Sequence, residues 1–128
     1  MSAKILVIDD DAATMMIISS ILKSAGYSVV PAYGGDDAIR KAKAQQPALV
    51  LTDLEMPGIN GVEIIDALQN DPETQHIPIV AVTSHTWDVI AQSAAQVGCA
   101  GYLTKPFLPK QLIETVRKYL TAPTPKAS

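Results

Sequence analysis

The sequence predicts an α/β fold: an open, doubly wound parallel sheet of five strands with five helices on its two faces. Three observations point there. Short apolar runs alternate five times with longer amphipathic ones, an order that implies right-handed strand–helix–strand crossovers. The first, third and fourth runs are almost wholly apolar, as strands covered on both faces are. Charged or hydroxyl residues stand at the ends of four of the runs, so polar groups collect beyond the carboxyl ends of the strands, where such sheets bind ligands.

Taken in order, the first strand is Lys4–Ile8 (KILVI), followed by Asp9, Asp10 and Asp11. Asp11 is placed to N-cap a helix over 12–25. Ile18, Ile21, Leu22 and Ala25 mark its core side. At about 100° per residue Met16 then points away, beside Ser19, Ser20 and Lys23. An exposed methionine offers an adaptable docking surface, with Thr14 and Ile17 as its neighbours. Ser28–Ala32 is the second strand and 36–46 the second helix. Ala48–Thr52 (ALVLT) is the third strand, ending just before Asp53. A helix over 61–70 follows, with Asn60 and Glu63 spaced as a capping box, and Asp71–His76 reads as a polar loop with a solvated His76. The fourth strand, Ile79–Thr83 (IVAVT), delivers Thr83 and Ser84. A helix over 87–97 starts at Trp87, a partly buried residue or a cover for the loop before it. Gly101–Leu103 is the fifth strand, with Lys105 beyond it. The last helix, 109–120, has Pro109 in its first turn, where proline is tolerated. Leu108 stands where a capping Ser or Thr is expected, at a cost of about 1 kcal/mol. It is a candidate partner contact or packs on Leu112. Residues 1–120 thus form one domain, and 121–128 (TAPTPKAS) read as a flexible tail or the start of a linker.

Composition narrows the function. A chain of 128 residues is one domain, and 48% hydrophobic content suffices for a core. Ten Lys and Arg against 13 Asp and Glu leave a net charge of −3 with no basic run, so no direct nucleic-acid binding is expected. An aromatic content of 5% argues against base-stacking platforms. No apolar stretch approaches the ~18 residues of a membrane span, and no signal peptide is visible. Cys99 is the single cysteine, so no intrachain disulfide forms and a cytoplasmic location is expected.

The charges carry the chemistry. If the first and third strands are neighbours, Asp9, Asp10 and Asp53 converge. Two carboxylates at 4 Å repel by about 4 kcal/mol at an effective dielectric near 20. Lys105 offsets one charge, and a divalent, oxygen-seeking ion fits the remainder, Mg²⁺ being the usual choice beside a phosphoryl group. Such a site suits phosphoryl transfer, with Asp53 as nucleophile and Thr83 supplying a hydroxyl.

These residues resemble the receiver domain of response regulators in two-component and phosphorelay signalling. The resemblance runs from Lys4 to about Leu120. It rests on Ile8-Asp9-Asp10-Asp11, Thr52-Asp53-Leu54-Glu55-Met56-Pro57-Gly58, Asn60-Gly61, Val82-Thr83-Ser84, Gly98-Cys99-Ala100-Gly101-Tyr102 and Lys105-Pro106-Phe107. It implies a flavodoxin-like fold with strand order 2-1-3-4-5. It implies a phosphoregulator, not a turnover enzyme, that accepts a phosphoryl group on Asp53 from a histidine kinase or histidine phosphotransfer protein. Mg²⁺ would be held by Asp10, Asp53 and the main-chain carbonyl of Glu55, with Asp9 acting through water. Lys105, preceding a cis Lys105–Pro106 bond, would bind the phosphoryl oxygens. Thr83 and Tyr102 would form the conformational switch that changes binding to a downstream protein.

Glu55 and His85 occupy positions that tune self-dephosphorylation in receivers. They would shield the phosphoryl group as a pair, or His85 would act as a general base. Thr14, Met16, Ile17 and Leu108 are the candidate docking residues. Asp88 is the one acid of the 87–97 helix, which argues against the acid-paired dimers that drive winged-helix transcription factors; a monomer or a weak phosphorylation-dependent dimer is expected. A stand-alone regulator and a receiver excised from a hybrid kinase or multidomain regulator both fit. A flavodoxin-like cofactor binder does not, because three aspartates after the first strand would repel its phosphate. An aspartyl-nucleophile phosphatase carries a second aspartate where this chain has Glu55.

Overall fold

Apolar runs without a polar face need cover on both sides, and the arrangement of the chain provides it. A computed structural model describes residues 3–53, 61–83 and 100–121. Five parallel strands form one sheet: β1 (Lys4–Ile8), β2 (Ser28–Ala32), β3 (Leu49–Asp53), β4 (Ile79–Thr83) and β5 (Gly101–Thr104). Their order is β2-β1-β3-β4-β5, as the resemblance implied. The described residues include four helices: α1 (Ala12–Ser24), α2 (Gly35–Gln45), α3 (Gly61–Gln69) and α4 (Pro109–Thr121). The expected helix over 87–97, with Trp87, and Asn60, Cys99 and residues 122–128 all lie outside the described residues. Among the described residues no helix is long and apolar enough to cross a membrane.

Alternation along each strand sorts the core into two layers. Leu6, Ile8, Val50 and Ala81 face α2 and α3, meeting Ala38, Ala42, Ile64, Ile65 and Leu68. Ile5, Val7, Leu49, Leu51, Val80 and Val82 face α1 and α4, meeting Met15, Ile18, Leu22, Leu112 and Val116. Asp53 is the last residue of β3, not the first beyond it, because it still pairs in register with Val82 of β4. The buried stripe of α1 falls on Met15, Ile18 and Leu22, an i, i+3, i+7 ridge, while Ile21 is only partly buried. Met15 was not expected in the core, and Ile21 was.

Two local features depart from the sequence reading. The stretch from Asp71 is a built turn: buried Thr74 donates its hydroxyl to Leu68 O at 2.7 Å, and Asp71 accepts the Glu73 N–H at 2.9 Å. Lys43 of α2 reaches Asp71 at 2.9 Å, and Gln46 Nε2 donates to Glu73 O at 2.9 Å, tying α2 to that turn. His76 itself is exposed, as expected. At the start of α4, Gln111 Oε1 accepts the Leu108 N–H at 2.7 Å, so the first turn has a side-chain partner although Leu108 cannot cap it.

Candidate functional site

The register of β1 on β3 aligns Ile8 with Thr52, so Asp9 and Asp53 emerge side by side at the carboxyl edge of the sheet. Both are buried, Asp9 at 2% exposure and Asp53 at 5%, and Asp10 is exposed. Each of the three offers a carboxylate oxygen within 4.8 Å of the others. Asp9 is anchored twice: its N–H donates to Ala32 O at 3.0 Å, and its Oδ1 accepts the Asp11 N–H at 2.9 Å. Asp11 turns away to cap α1, accepting the Thr14 N–H at 3.0 Å and the Thr14 hydroxyl. These bonds hold its carboxyl below the usual range.

Lys105 enters from the end of β5, past β4, and its Nζ stands 3.3 Å from Asp53 Oδ1. The Lys105–Pro106 bond is cis, as expected. Burial pushes the Asp9 carboxyl above its ordinary value, and the Asp53 and Asp10 charges add to that; the Asp11 N–H and Lys105 oppose it. Three carboxylates against one ammonium leave an excess of two negative charges, all on hard oxygen donors. That donor set fits a Mg²⁺-sized divalent cation.

Thr83 ends β4, level with Thr104 of β5, but its side chain lies outside what the structure describes. Tyr102 is partly buried against the α2–α3 layer, with the small Ala81 as its cross-strand neighbour. Glu55 and His85 lie outside the described residues.

The docking candidates divide between two ridges of α1. Met16 is 72% exposed, Ile17 57% and Leu108 65%. Met16, Ser19, Ser20 and Lys23 share one ridge, which lines a groove against Pro31 and Tyr33 beside the edge strand β2. Thr14 and Ile17 share the ridge of Ile21, which packs into the layer of α4. The sequence reading missed Tyr33, an exposed aromatic one residue past β2; its position after a short strand was the available signal.

A family model for the response regulator receiver domain matches residues 5–117. The polar-differentiation response regulator DivK of Brucella ovis is 29% identical over 120 residues, which span 94% of this chain and 98% of the relative. Among solved structures, the chemotaxis response regulator CheY4 of Vibrio cholerae superposes with a TM-score of 0.88 at 32% identity, over 94% of this chain and 100% of that one. The receiver domain of a sensor histidine kinase from Pseudomonas aeruginosa PAO1 was solved with a magnesium ion coordinated in its active-site cleft. It shares this fold, with a TM-score of 0.87 at 24% identity over 95% of this chain and 100% of that one.

Proposed function

The chain belongs to the response regulator receiver domain family, and from that premise we propose that Asp53 accepts a phosphoryl group from a phosphohistidine on a histidine kinase or histidine phosphotransfer protein. The observation that carries this reading is the Asp53 carboxylate, nearly buried at the end of β3 and faced by the Lys105 ammonium at 3.3 Å. An Asp53 oxygen would attack phosphorus as the P–N bond breaks, and the imidazole would leave with the electron pair. Lys105 would neutralise the transferred oxygens. Asp10, Asp53 and the Glu55 main-chain carbonyl would hold Mg²⁺, with Asp9 through water, in keeping with the carboxylate cluster. When bound, the ion would offset phosphoryl charge.

Beyond transfer, Thr83 would bind the phosphoryl group and Tyr102 would follow it inward, changing the surface offered to a downstream protein. The half-buried placement of Tyr102 supports that role, since its ring has a core to enter. Thr14, Met16, Ile17 and Leu108 would receive the histidine donor, a reading supported by the exposure of Met16, Ile17 and Leu108 and by the packing of α4 alongside α1. Glu55 and His85 would shield the phosphoryl group from in-line water. The chain would regulate rather than turn over a substrate, in the cytoplasm.

The test uses a donor phosphorylated on histidine. The reading expects the phosphoryl group to pass to this chain, to be released by hydroxylamine as an acyl phosphate is, and to require a divalent cation. A label resistant to hydroxylamine, or no transfer from any histidine donor or small phosphodonor, would overturn it.

A further inference from the structure

We propose that Ala81 is a positioning residue for Tyr102: its small side chain lets the Tyr102 ring turn in over β4, and so sets how strongly the state of Asp53 is felt at β5. The inference deepens the reading of Tyr102 given above and rests on it. The strand registers carry one row of residues across the whole sheet. Ala32 of β2 pairs with Ile8 of β1, Ile8 with Thr52 of β3, Thr52 with Ala81 of β4, and Ala81 with Tyr102 of β5. The row belongs to the α2–α3 layer, against which Tyr102 packs. It lies just beneath the site: Asp9 follows Ile8, Asp53 follows Thr52, and Thr83 stands two residues beyond Ala81. Tyr102 alone in this row is not fully buried.

Ala81 stands out in β4. The strand reads Ile79-Val80-Ala81-Val82-Thr83, β-branched at every position but this one. A central strand covered on both faces favours branched side chains, and alanine is depleted in strands. Ala81 is nonetheless completely buried, between Val80 and Val82, which are buried too. Protein interiors are close-packed, so a small residue at such a position leaves room that a neighbour must use.

The two neighbours of Ala81 in the row differ in what they can do. Thr52 is completely buried and donates its hydroxyl to Asp53 O at 3.3 Å, so it forms a fixed wall. Tyr102 stands on the edge strand β5 and keeps part of its surface in solvent. Adjacent strands lie about 4.8 Å apart. A tyrosine on β5 is therefore long enough to lie across β4, and Ala81 has no atom beyond Cβ to stop it. The methyl groups of a valine would stand in that path. The coupling runs both ways: whatever factor Asp53-bound phosphoryl adds to the inward ring, the inward ring adds to phosphoryl binding. Closing the path at Ala81 thus weakens the site for a phosphoryl group without altering the carboxylates that face the cation.

The experiment uses the full chain labelled with 3-fluorotyrosine, with beryllofluoride in Mg²⁺ as the phosphoryl analogue. The chain has four tyrosines, and Tyr102→Phe assigns the fluorine resonance of Tyr102. In wild type that resonance should move when beryllofluoride is added. Ala81→Val should hold it near its unliganded position and raise the beryllofluoride dissociation constant roughly tenfold, the scale of an overpacked site. The Mg²⁺ dissociation constant should stay unchanged. In a Tyr102→Ala background, Ala81→Val should no longer affect beryllofluoride, because no ring remains to be blocked. Ala81→Cys should give a smaller effect of the same sign, so the test stands even if the valine variant does not fold. Three results would overturn the proposal: a Tyr102 resonance that moves equally in wild type and the Ala81 variants, an affinity loss that persists without the Tyr102 ring, or a parallel loss of Mg²⁺ binding. A wild-type resonance that ignores bound beryllofluoride would refute the reading of Tyr102 itself, and the proposal with it.

Discussion

Tyr119 fills the space that a side chain on Gly101 would need: a Cβ built on Gly101 would lie 2.2 Å from the Tyr119 hydroxyl oxygen and 2.5 Å from Cζ. The ring comes from the last turns of α4, packs into the α1–α4 layer and lies beneath Lys118 Nζ at 5.4 Å from its centroid. It therefore seats α4 on the first residue of β5, one position before Tyr102. At that separation the ring or the strand would have to shift by about an ångström to admit a methyl group. Gly101→Ala should lose about 1–3 kcal/mol, the usual cost of overpacking. Adding Tyr119→Leu should restore part of that loss. Urea unfolding of the two variants checks this, and a Gly101→Ala midpoint equal to wild type would contradict it.

Mg²⁺ should stabilise the folded chain, because the oxygens of Asp9, Asp10 and Asp53 lie within 4.8 Å of one another with one ammonium beside them. An ion that binds the native state alone adds about 2.7 kcal/mol at 100 times its dissociation constant. Thermal melts with and without Mg²⁺ should show a raised midpoint. Asp10→Ala should largely remove the rise, and an unchanged wild-type midpoint at saturating metal would refute the carboxylate site.

Asp9→Asn should stabilise the metal-free chain near neutral pH. Burial raises the folded-state pKa of Asp9 above its ordinary value of 3.8, with Asp53 and Asp10 adding to the shift. A raised acid holds its proton longer in the folded state. Its penalty is therefore absent below the ordinary value and grows as pH rises through the raised one. The amide removes the charge and keeps an oxygen for the Asp11 N–H. Melts in chelator across that pH range should show the variant gaining on wild type as pH rises; parallel curves would contradict the assignment.

The Lys43–Asp71 pair should give a stability increment with the opposite pH sense. The hydrogen bond from Lys43, then that from the Glu73 N–H, holds Asp71 below the usual carboxylate range. A depressed acid contributes stability above its unfolded value, and the contribution is lost as pH falls through the lowered folded value. Lys43→Met, which keeps the stem, should be less stable than wild type at neutral pH and converge with it in acid. A constant gap across pH would mean that the pair contributes only packing.

The strands were legible because each is a short apolar run with an abrupt polar end. Their adjacency then brought Asp9, Asp10, Asp53 and Lys105 together, as a reading of charge alone required. The resemblance supplied the strand order. What stayed hidden depends on tertiary neighbours. Met15 and Met16 are identical by composition, and only the packing of α1 on the sheet decides that one is buried and the other exposed. Thr74 reads as a loop residue until Leu68 O comes within 2.7 Å. Nothing local to Gly101 announces a tyrosine 18 residues on, and nothing local to Leu108 shows that Gln111 will satisfy its N–H.

The most direct test of the account is the intact mass of the chain after exposure to a small phosphodonor with Mg²⁺, for wild type and Asp53→Asn. Wild type should gain one phosphoryl group, lost on treatment with hydroxylamine, and Asp53→Asn should gain none while keeping a cooperative melt. A folded Asp53→Asn variant that takes up a stoichiometric, hydroxylamine-labile phosphoryl group would contradict it.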